Sequence, residues 1–331
     1  MLGINHALAR RLLEAGCSVV IADLALRPES EATVAEYPHP SPVSGNASAV
    51  FHRTDVANWG HLTNLWETAL KTFGQVHIVV NGAGVYEPPW SSYWNPPGIS
   101  PLSKDLVDAE VGTYRIFNIN VTGPIRLSQI AIDYWLQNRE VKGSLLWVSS
   151  MGAYVHTIHC PLYFAGKAAI VSFCKCLQGL KELAGIRNSV ICPGVVRVRQ
   201  FCFWIISLRQ HFFRSQNSTC VLKNTHMLSK QTPIFQQEYC RDRLGDSDVA
   251  ATPEDIANSM MSLLTEAKYG NGTVLEVMAI GTLEKPEIYE REVPLEALYP
   301  IASPLDAGTK AMEEEVKFMT LVAEKGMRSS C

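Results

Sequence analysis

The run Leu145-Leu146-Trp147-Val148-Ser149-Ser150, with Tyr163-Phe164-Ala165-Gly166-Lys167 beginning thirteen residues after its last serine, decides how this chain is read. The apolar run is of strand length and delivers Ser150 at its end, and Ala168 to Leu183 continues a helix after Lys167. Tyr163 and Lys167 stand four residues apart, so phenol and ammonium share one helix face. A neighbouring cation favours phenolate. A tyrosine with an ordinary pKa of about 10 then moves toward neutrality and can serve as a general acid or base. Ser150 would hold the reacting oxygen. The pair alone also fits an aromatic ring under a snorkelling lysine, so the rest of the chain decides.

Upstream, Val79-Val80-Asn81-Gly82-Ala83-Gly84 is an apolar strand broken by a turn where the backbone must pass close to something. Asn120 lies inside a long helical pattern, where a poor helix former points to a task of its own. Its Asn-Val-Thr sequence is formally a glycosylation sequon, but the mid-helix setting and the lack of a signal's layout at the N-terminus argue against that use. Gly3-Ile4-Asn5 opens a helix with Leu8, Leu12 and Ala15 on its buried stripe, and Gly16 stops it. Ser18 to Ala22 form a strand that Asp23 ends, where a helix cap or solvated turn is the plainer role for that carboxylate. The alternating strand Ala49 to Thr54 leads into Asp55-Val56, and Pro193-Gly194 follows the strand Ser189 to Cys192. Thr252-Pro253-Glu254-Asp255 opens a late helix, and Thr273 to Val277 reads as the last strand.

In this order, from Gly3 to about Gly281, the pieces resemble the short-chain dehydrogenase/reductase family. The resemblance implies an α/β fold, a Rossmann-type doubly wound parallel sheet with helices on both faces. It implies an NAD(P)-dependent oxidoreductase that interconverts a secondary alcohol and a ketone. Tyr163 would be the general acid/base, Lys167 would support it and bind the nicotinamide ribose, Ser150 would orient the oxygen, and Asn120 would hold a proton-relaying water. Cofactor contacts would come from Gly3, Ile4, Asn5, Asp23, Asp55, Val56, Asn81, Gly82, Ala83, Tyr163, Lys167, Pro193, Gly194, Val196 and Thr232. Gly84 would also let the backbone approach. Asp23 accepts hydrogen bonds from ribose hydroxyls and repels a 2′-phosphate, so NAD is preferred and NADP possible. A homodimer or homotetramer in the cytoplasm, acting on a small molecule, completes the expectation. Asp23, the Cys192-Pro193-Gly194-Val195-Val196 stretch and the long tail look most similar to fungal hydroxyprostaglandin dehydrogenase-like members. An NADPH-type ketoreductase of secondary metabolism and a catalytically inactive chain of the same fold are the alternatives.

Two features depart from the family pattern. The strand and first glycine expected ahead of Gly3 are absent, and Asn5 replaces the final glycine. Because that strand lies centrally in a doubly wound sheet, its loss predicts a discontinuous sheet, and a native product roughly 10 to 15 residues longer is expected. Residues 198–231 contain no Asp, Glu, Gly, Ala or Pro. Codons for Val198-Arg199 can begin GTAAG and that for Gln231 can be CAG, so a retained intron is expected, with a lid insertion as the competing reading. The domain is thus read as residues 1–282 with an extension over 283–331, whose stretch Ala307 to Lys325 is amphipathic.

Composition sets outer bounds. With 331 residues, 47% of them hydrophobic, the chain can bury a large core, and a formal charge of −3 argues against nucleic acid or an acidic membrane as partner. Nine cysteines without Cys-x-x-Cys pairs or metal spacing read as reduced thiols. Trp90, Tyr93 and Trp94, in the loop Pro88 to Ser103, offer an apolar wall for a substrate or a cover for the core.

Overall fold

The computed structural model describes residues 3–196, 248–294 and 313–327, the last without 315, 319 and 323. Thr232 and the unusual 198–231 stretch lie outside the described residues. The chain alternates helix and strand: α1 (Ile4–Glu14), β1 (Val19–Asp23), α2 (Pro28–Glu36), β2 (Ala49–Arg53), α3 (Trp59–Phe73) and β3 (Ile78–Asn81). A continuous helical run follows, made of α4 (Arg115–Phe117), a π-helical turn (Asn118–Thr122) and α5 (Gly123–Gln137). Then come β4 (Ser144–Val148), a 3-10 turn (Met151–Ala153), α6 (Pro161–Cys176), α7 (Leu180–Ala184) and β5 (Arg187–Pro193). The last described elements with full boundaries are α8 (Pro253–Thr265), β6 (Asn271–Gly281) and β7 (Pro286–Glu292).

Strands β3-β4-β5-β6 run parallel and β7 adds to β6 antiparallel, whereas β1 and β2 form a separate parallel pair. Among the described residues the sheet is thus discontinuous between β1 and β3, as expected from the sequence. Two-residue alternation explains why the parallel strands are apolar throughout. Leu145, Trp147, Val190 and Cys192 face Trp66 of α3, Trp135 of α5 and Ile170 of α6. Leu146, Ile191 and Leu275 face the other way, onto Leu8 and Leu12 of α1 and Ile256 and Met260 of α8. Helices thus cover both faces. Trp147 and Trp135 are almost wholly buried, and each such side chain contributes about 3 kcal/mol or more to holding the layers together.

Helix boundaries follow local chemistry. Asn58 caps α3 by accepting the His61 amide at 3.1 Å, and Gly74 ends it with φ at 78°. The predicted cap at Thr252 is a reciprocal box: Thr252 Oγ1 accepts the Asp255 amide at 3.1 Å and Asp255 Oδ2 accepts the Thr252 amide at 2.8 Å.

Three expectations need correction. Ala15 is exposed, because α1 ends at Glu14 and the buried stripe is instead Ala7, Leu8, Ala9, Leu12 and Leu13. The helix after Lys167 does not run on to Leu183; it breaks at Leu177 and restarts as α7. Most consequentially, Thr273 to Val277 is not the last strand. Residues Pro286–Glu292 form β7, whose side chains are all exposed. A strand without a buried side carries no hydrophobic alternation to be read. It is held by the ladder to β6, from Leu275 opposite Glu292 to Gly281 opposite Pro286, and by side-chain bonds of Arg291 and Glu290 to Glu276 and Ser259. The described residues of 313–325 are helical, with Val322 packed against the cluster around Trp147.

Candidate active site

The carboxyl ends of the parallel strands carry most of the residues selected from the sequence. Asp23 closes β1, Asp55-Val56 follow β2, Asn81 closes β3 ahead of Gly82-Ala83-Gly84, Ser150 stands just past β4, and Pro193 ends β5 ahead of Gly194. In an open α/β sheet this is the edge where ligands bind.

Helix α6 begins at Pro161, which places Tyr163 in its first turn and Lys167 one turn later, both buried. The Lys167 Nζ lies 5.6 Å from the centre of the Tyr163 ring and donates to the Val148 carbonyl at 3.0 Å. Burial pushes the Lys167 ammonium down to about 8, because a low-dielectric setting disfavours the charged form. Ser149 Oγ donates to the Lys167 carbonyl at 2.8 Å, tying α6 to the end of β4.

Asn120 sits in the π-helical turn and is buried. Its Oδ1 accepts the Val85 amide at 2.9 Å and its Nδ2 donates to the Val85 carbonyl at 2.8 Å. Both amide groups therefore hold the loop after β3. Gly84 is where this loop meets the lysine: a Cβ there would stand 3.4 Å from Asn120 Oδ1 and 3.6 Å from Lys167 Nζ. Ser150 Oγ accepts the Gly152 amide at 3.1 Å, and a Cβ on Gly152 would touch the Tyr163 ring at 3.4 Å. The serine turn thus lies against the tyrosine. Gly194 abuts the same turn, since a Cβ there would meet Met151 Sδ at 3.0 Å. π-Helical insertions of this kind are concentrated at functional sites.

At the other end, Gly3 precedes α1 with φ at 70° and open space where a Cβ would point. Its N-cap, Gly3, has no side chain with which to cap α1. Ile4 packs into the α1–α8 cluster, and Asn5 Nδ2 donates to the Gly82 carbonyl at 2.7 Å. That bond fills the space over Gly82: a Cβ there would lie 2.3 Å from the Asn5 amide. Asp23 Oδ1 accepts the Leu24 amide at 2.7 Å, and Arg53 stands opposite Asp23 across the strand pair. Asp55 Oδ1 accepts the Ala57 amide at 3.0 Å. The Val56 carbonyl packs so close to α5 that a Cβ at Gly123 would come within 2.4 Å of it. Asn81 is buried in β3, Ala83 is exposed, and Val196 is buried and bridged to Ala251.

Sequence reasoning missed a network beside the serine turn. Tyr154 Oη donates to Glu276 Oε2 at 2.5 Å, and Arg291 holds Glu276 through Nε at 2.7 Å and a second guanidinium nitrogen at 3.2 Å. Burial of Glu276 opposes its charge, but the bonds from Arg291 and Tyr154 outweigh this and leave its carboxyl below the ordinary range. A glutamate in the middle of the apolar strand Thr273-Val274-Leu275-Glu276-Val277 was the available signal. His156 and His159, between Ser150 and Tyr163, are exposed, whereas Cys160 is buried with its Sγ 2.8 Å from Tyr86 Oη.

The layered parallel sheet and the polar groups at its carboxyl edge define a doubly wound α/β protein of dinucleotide-binding type. A family model described as short chain dehydrogenase matches residues 1–201, more than half of the 331 residues. The chain belongs to the short-chain dehydrogenase/reductase family. Among curated relatives it is 28% identical over 198 residues to 3beta-hydroxysteroid dehydrogenase 2 of Eggerthella lenta, covering 58% of this chain and 66% of the relative. It is 27% identical over 203 residues to a diacetyl reductase [(S)-acetoin forming] of Staphylococcus epidermidis, covering 60% and 69%. The chain thus spans about two thirds of the length of the curated relatives it matches. A crystal structure of 3-ketoacyl-(acyl-carrier-protein) reductase from Brucella melitensis, complexed with NADH, shares the fold. Its TM-score is 0.57 at 21% identity, with 83% of this chain and 91% of that one covered. Among the described residues no helix is long and apolar enough to cross a membrane.

Proposed function

We propose that this protein is an NAD-linked dehydrogenase/reductase that interconverts a secondary alcohol and a ketone, with Tyr163 as its general acid/base. The observation that carries the reading is the buried Lys167 ammonium, set beside the Tyr163 ring, Asn120 and the Gly84 backbone. Bound along the carboxyl edge, a nicotinamide dinucleotide would supply or accept the hydride. Gly3, Ile4 and Asn5 would receive its phosphates at the uncapped start of α1. Asp23 would accept the adenosine ribose hydroxyls, and Asp55 and Val56 would flank the base. Asn81, Gly82 and Ala83 would border its middle, and Pro193, Gly194, Val196 and Thr232 its nicotinamide end.

In ketone reduction the Tyr163 phenol donates a proton to the carbonyl oxygen that Ser150 orients. The phenolate left behind is stabilised by the Lys167 ammonium, whose charge costs more in this buried setting unless an anion forms beside it. The π-helical turn at Asn120 takes carbonyl groups off the regular helical ladder, which suits them to hold a relay water. Similarity to a steroid dehydrogenase and a diacetyl reductase supports an uncharged carbonyl compound as substrate.

A break between β1 and β3 divides the sheet among the described residues. Val19 of β1 and Ile78 and Val80 of β3 pack on one cluster with α1, yet they belong to separate sheets. The same break favours a second reading, a chain that keeps the fold but does not turn over. The test is NADH-linked reduction of diacetyl and NAD-linked oxidation of a 3β-hydroxysteroid by wild type and Tyr163→Phe. Wild type should turn over at least one probe, and the variant should lose about 10²-fold or more of that rate while binding NADH as before. An equally active variant would sink the assigned role of Tyr163. Wild type that binds NADH but turns over neither probe would favour the inactive reading.

A further inference from the structure

Neither of the two helical runs that carry Tyr163 and Asn120 has a side-chain cap from its own N-cap residue. Cys160 precedes α6 and Tyr114 precedes α4, and neither makes such a bond. The first amides of a helix have no partner within it and must find one elsewhere. Here both sets find it in a single loop. Glu87 Oε2 accepts the backbone amide of Tyr163 itself at 2.9 Å. The other oxygen, Oε1, accepts Ser92 Oγ at 3.0 Å and the Tyr93 amide at 2.9 Å. Asp105 Oδ1 accepts the Arg115 amide at 2.8 Å and Ser91 Oγ at 3.1 Å. Ser91 Oγ in turn accepts the Ile116 amide at 3.0 Å.

Glu87 and Asp105 are both buried, although acidic side chains almost never are unless something demands it. Two carboxylates in one loop of aromatic and proline residues, each spent on a helix start, are more than surface capping requires. The loop is also seated directly on the site. The Tyr86 and Tyr163 rings are 4.5 Å apart between centroids, and Trp94 Nε1 donates to the Ile158 carbonyl at 2.6 Å.

We propose that Glu87 and Asp105 are positioning residues that fasten the loop 86–105 to the helix starts carrying Tyr163 and Asn120. The distance between the aromatic wall and the proton-transfer groups is thereby fixed. This inference rests on the functional reading above for its effect on turnover, but its geometry is testable without turnover. The two carboxylates differ in a way that sharpens the test. Asp105 uses one oxygen for both of its donors, and Oδ2 has no hydrogen-bond partner among the described residues. Asp105→Asn can therefore keep every bond by turning its amide nitrogen to the Oδ2 position. Glu87 needs both oxygens as acceptors, so in Glu87→Gln an NH2 group must face a backbone N–H.

The experiment measures hydrogen exchange at the Tyr163 and Ile116 amides, the NADH dissociation constant, and kcat for diacetyl. The proteins are the full-length wild type, Glu87→Ala, Glu87→Gln, Asp105→Ala and Asp105→Asn. Glu87→Ala should speed exchange at Tyr163 by about fivefold or more, as loss of a helix cap does. Its kcat should fall by about tenfold or more, because small misplacements of reacting groups are costly. The NADH dissociation constant should stay within about twofold. Glu87→Gln should fall between wild type and Glu87→Ala, whereas Asp105→Asn should match wild type and Asp105→Ala should speed exchange at Ile116. Unchanged exchange at Tyr163 in a folded Glu87→Ala overturns the inference. So does a fall in NADH binding as large as that in kcat, which would indicate general loosening. If wild type itself turns over nothing, the functional reading fails, and the exchange rates alone then decide whether the loop caps both helices.

Discussion

Strands β3 to β6 and the β1–β2 pair supply the two halves of one proposed site, and they are secured by different means. The larger sheet is laced by buried polar bonds between distant elements. Trp147 Nε1 donates to Asn188 Oδ1 at 2.7 Å, Trp135 Nε1 to the Val76 carbonyl at 2.7 Å, and Lys167 to Val148 at 3.0 Å. Around the strand pair the side-chain ties are part-buried, as between His6 and Thr33 at 2.9 Å and from the Ser48 amide to Ser18 Oγ at 3.1 Å, or exposed. The Arg10–Glu36 bridge, at 2.7 Å, has side chains 36% and 50% exposed, and such pairs contribute little. The pair reaches the rest of the molecule through α1, through Asn5 on Gly82 and through Val56 on Gly123. The difference teaches that the chemistry half is organised by its own packing, while the dinucleotide half depends on a few junctions and gains most from a ligand that spans both.

The strongest challenge to that contrast is to open the larger sheet. Trp147→Ala removes a side chain with no exposed surface and should lower stability by about 3–5 kcal/mol in denaturant unfolding. A loss below about 1 kcal/mol would mean that this sheet is no better secured than the pair. Next in size is Lys167→Met. The folded-state pKa of Lys167, about 8, lies below the ordinary 10.5, so between those values the unfolded chain holds the extra proton and stability rises with pH. Below pH 8 the full penalty of the buried ammonium is present, up to about 3 kcal/mol. The variant should therefore be more stable than wild type at pH 7, and the gap should close as pH rises from about 8 to 10.5. A gap that is constant with pH would show that burial does not set this pKa. Smaller again is Gly123→Ala, whose Cβ would press on the Val56 carbonyl. It should cost about 1–3 kcal/mol and weaken NADH binding without lowering turnover at saturating NADH. A fall in turnover alone would place the junction in the wrong half.

How much of this was legible in the sequence follows from where each signal resides. Asp23, Asn81, Ser150 and Pro193, at or just past strand ends, could be read because the short strands are apolar and give way abruptly to polar, glycine or proline residues. The Tyr163–Lys167 spacing was readable because one helical turn is a local fact. Strand β7 was not, since it buries nothing and its residues take their shape from β6. Glu87 and Asp105 were hidden for another reason: they cap helices through amides 76 and 10 residues away in sequence. No short-range signature marks a cap supplied from a distance. The Tyr154–Glu276–Arg291 network had half a signal, a glutamate in an apolar strand, but its partners come from two other elements.

The claim on which the account turns is that the separate β1–β2 pair and the larger sheet still form one dinucleotide site selected by Asp23. The direct measurement is the thermal midpoint of the purified chain during titration with NADH and, in parallel, NADPH. A ligand that binds only folded protein stabilises it by about 2.7 kcal/mol at a hundred times its dissociation constant. A clear rise is expected with NADH, and little or none with NADPH at the same concentration. A rise with NADPH alone, or no rise with either, would contradict that claim.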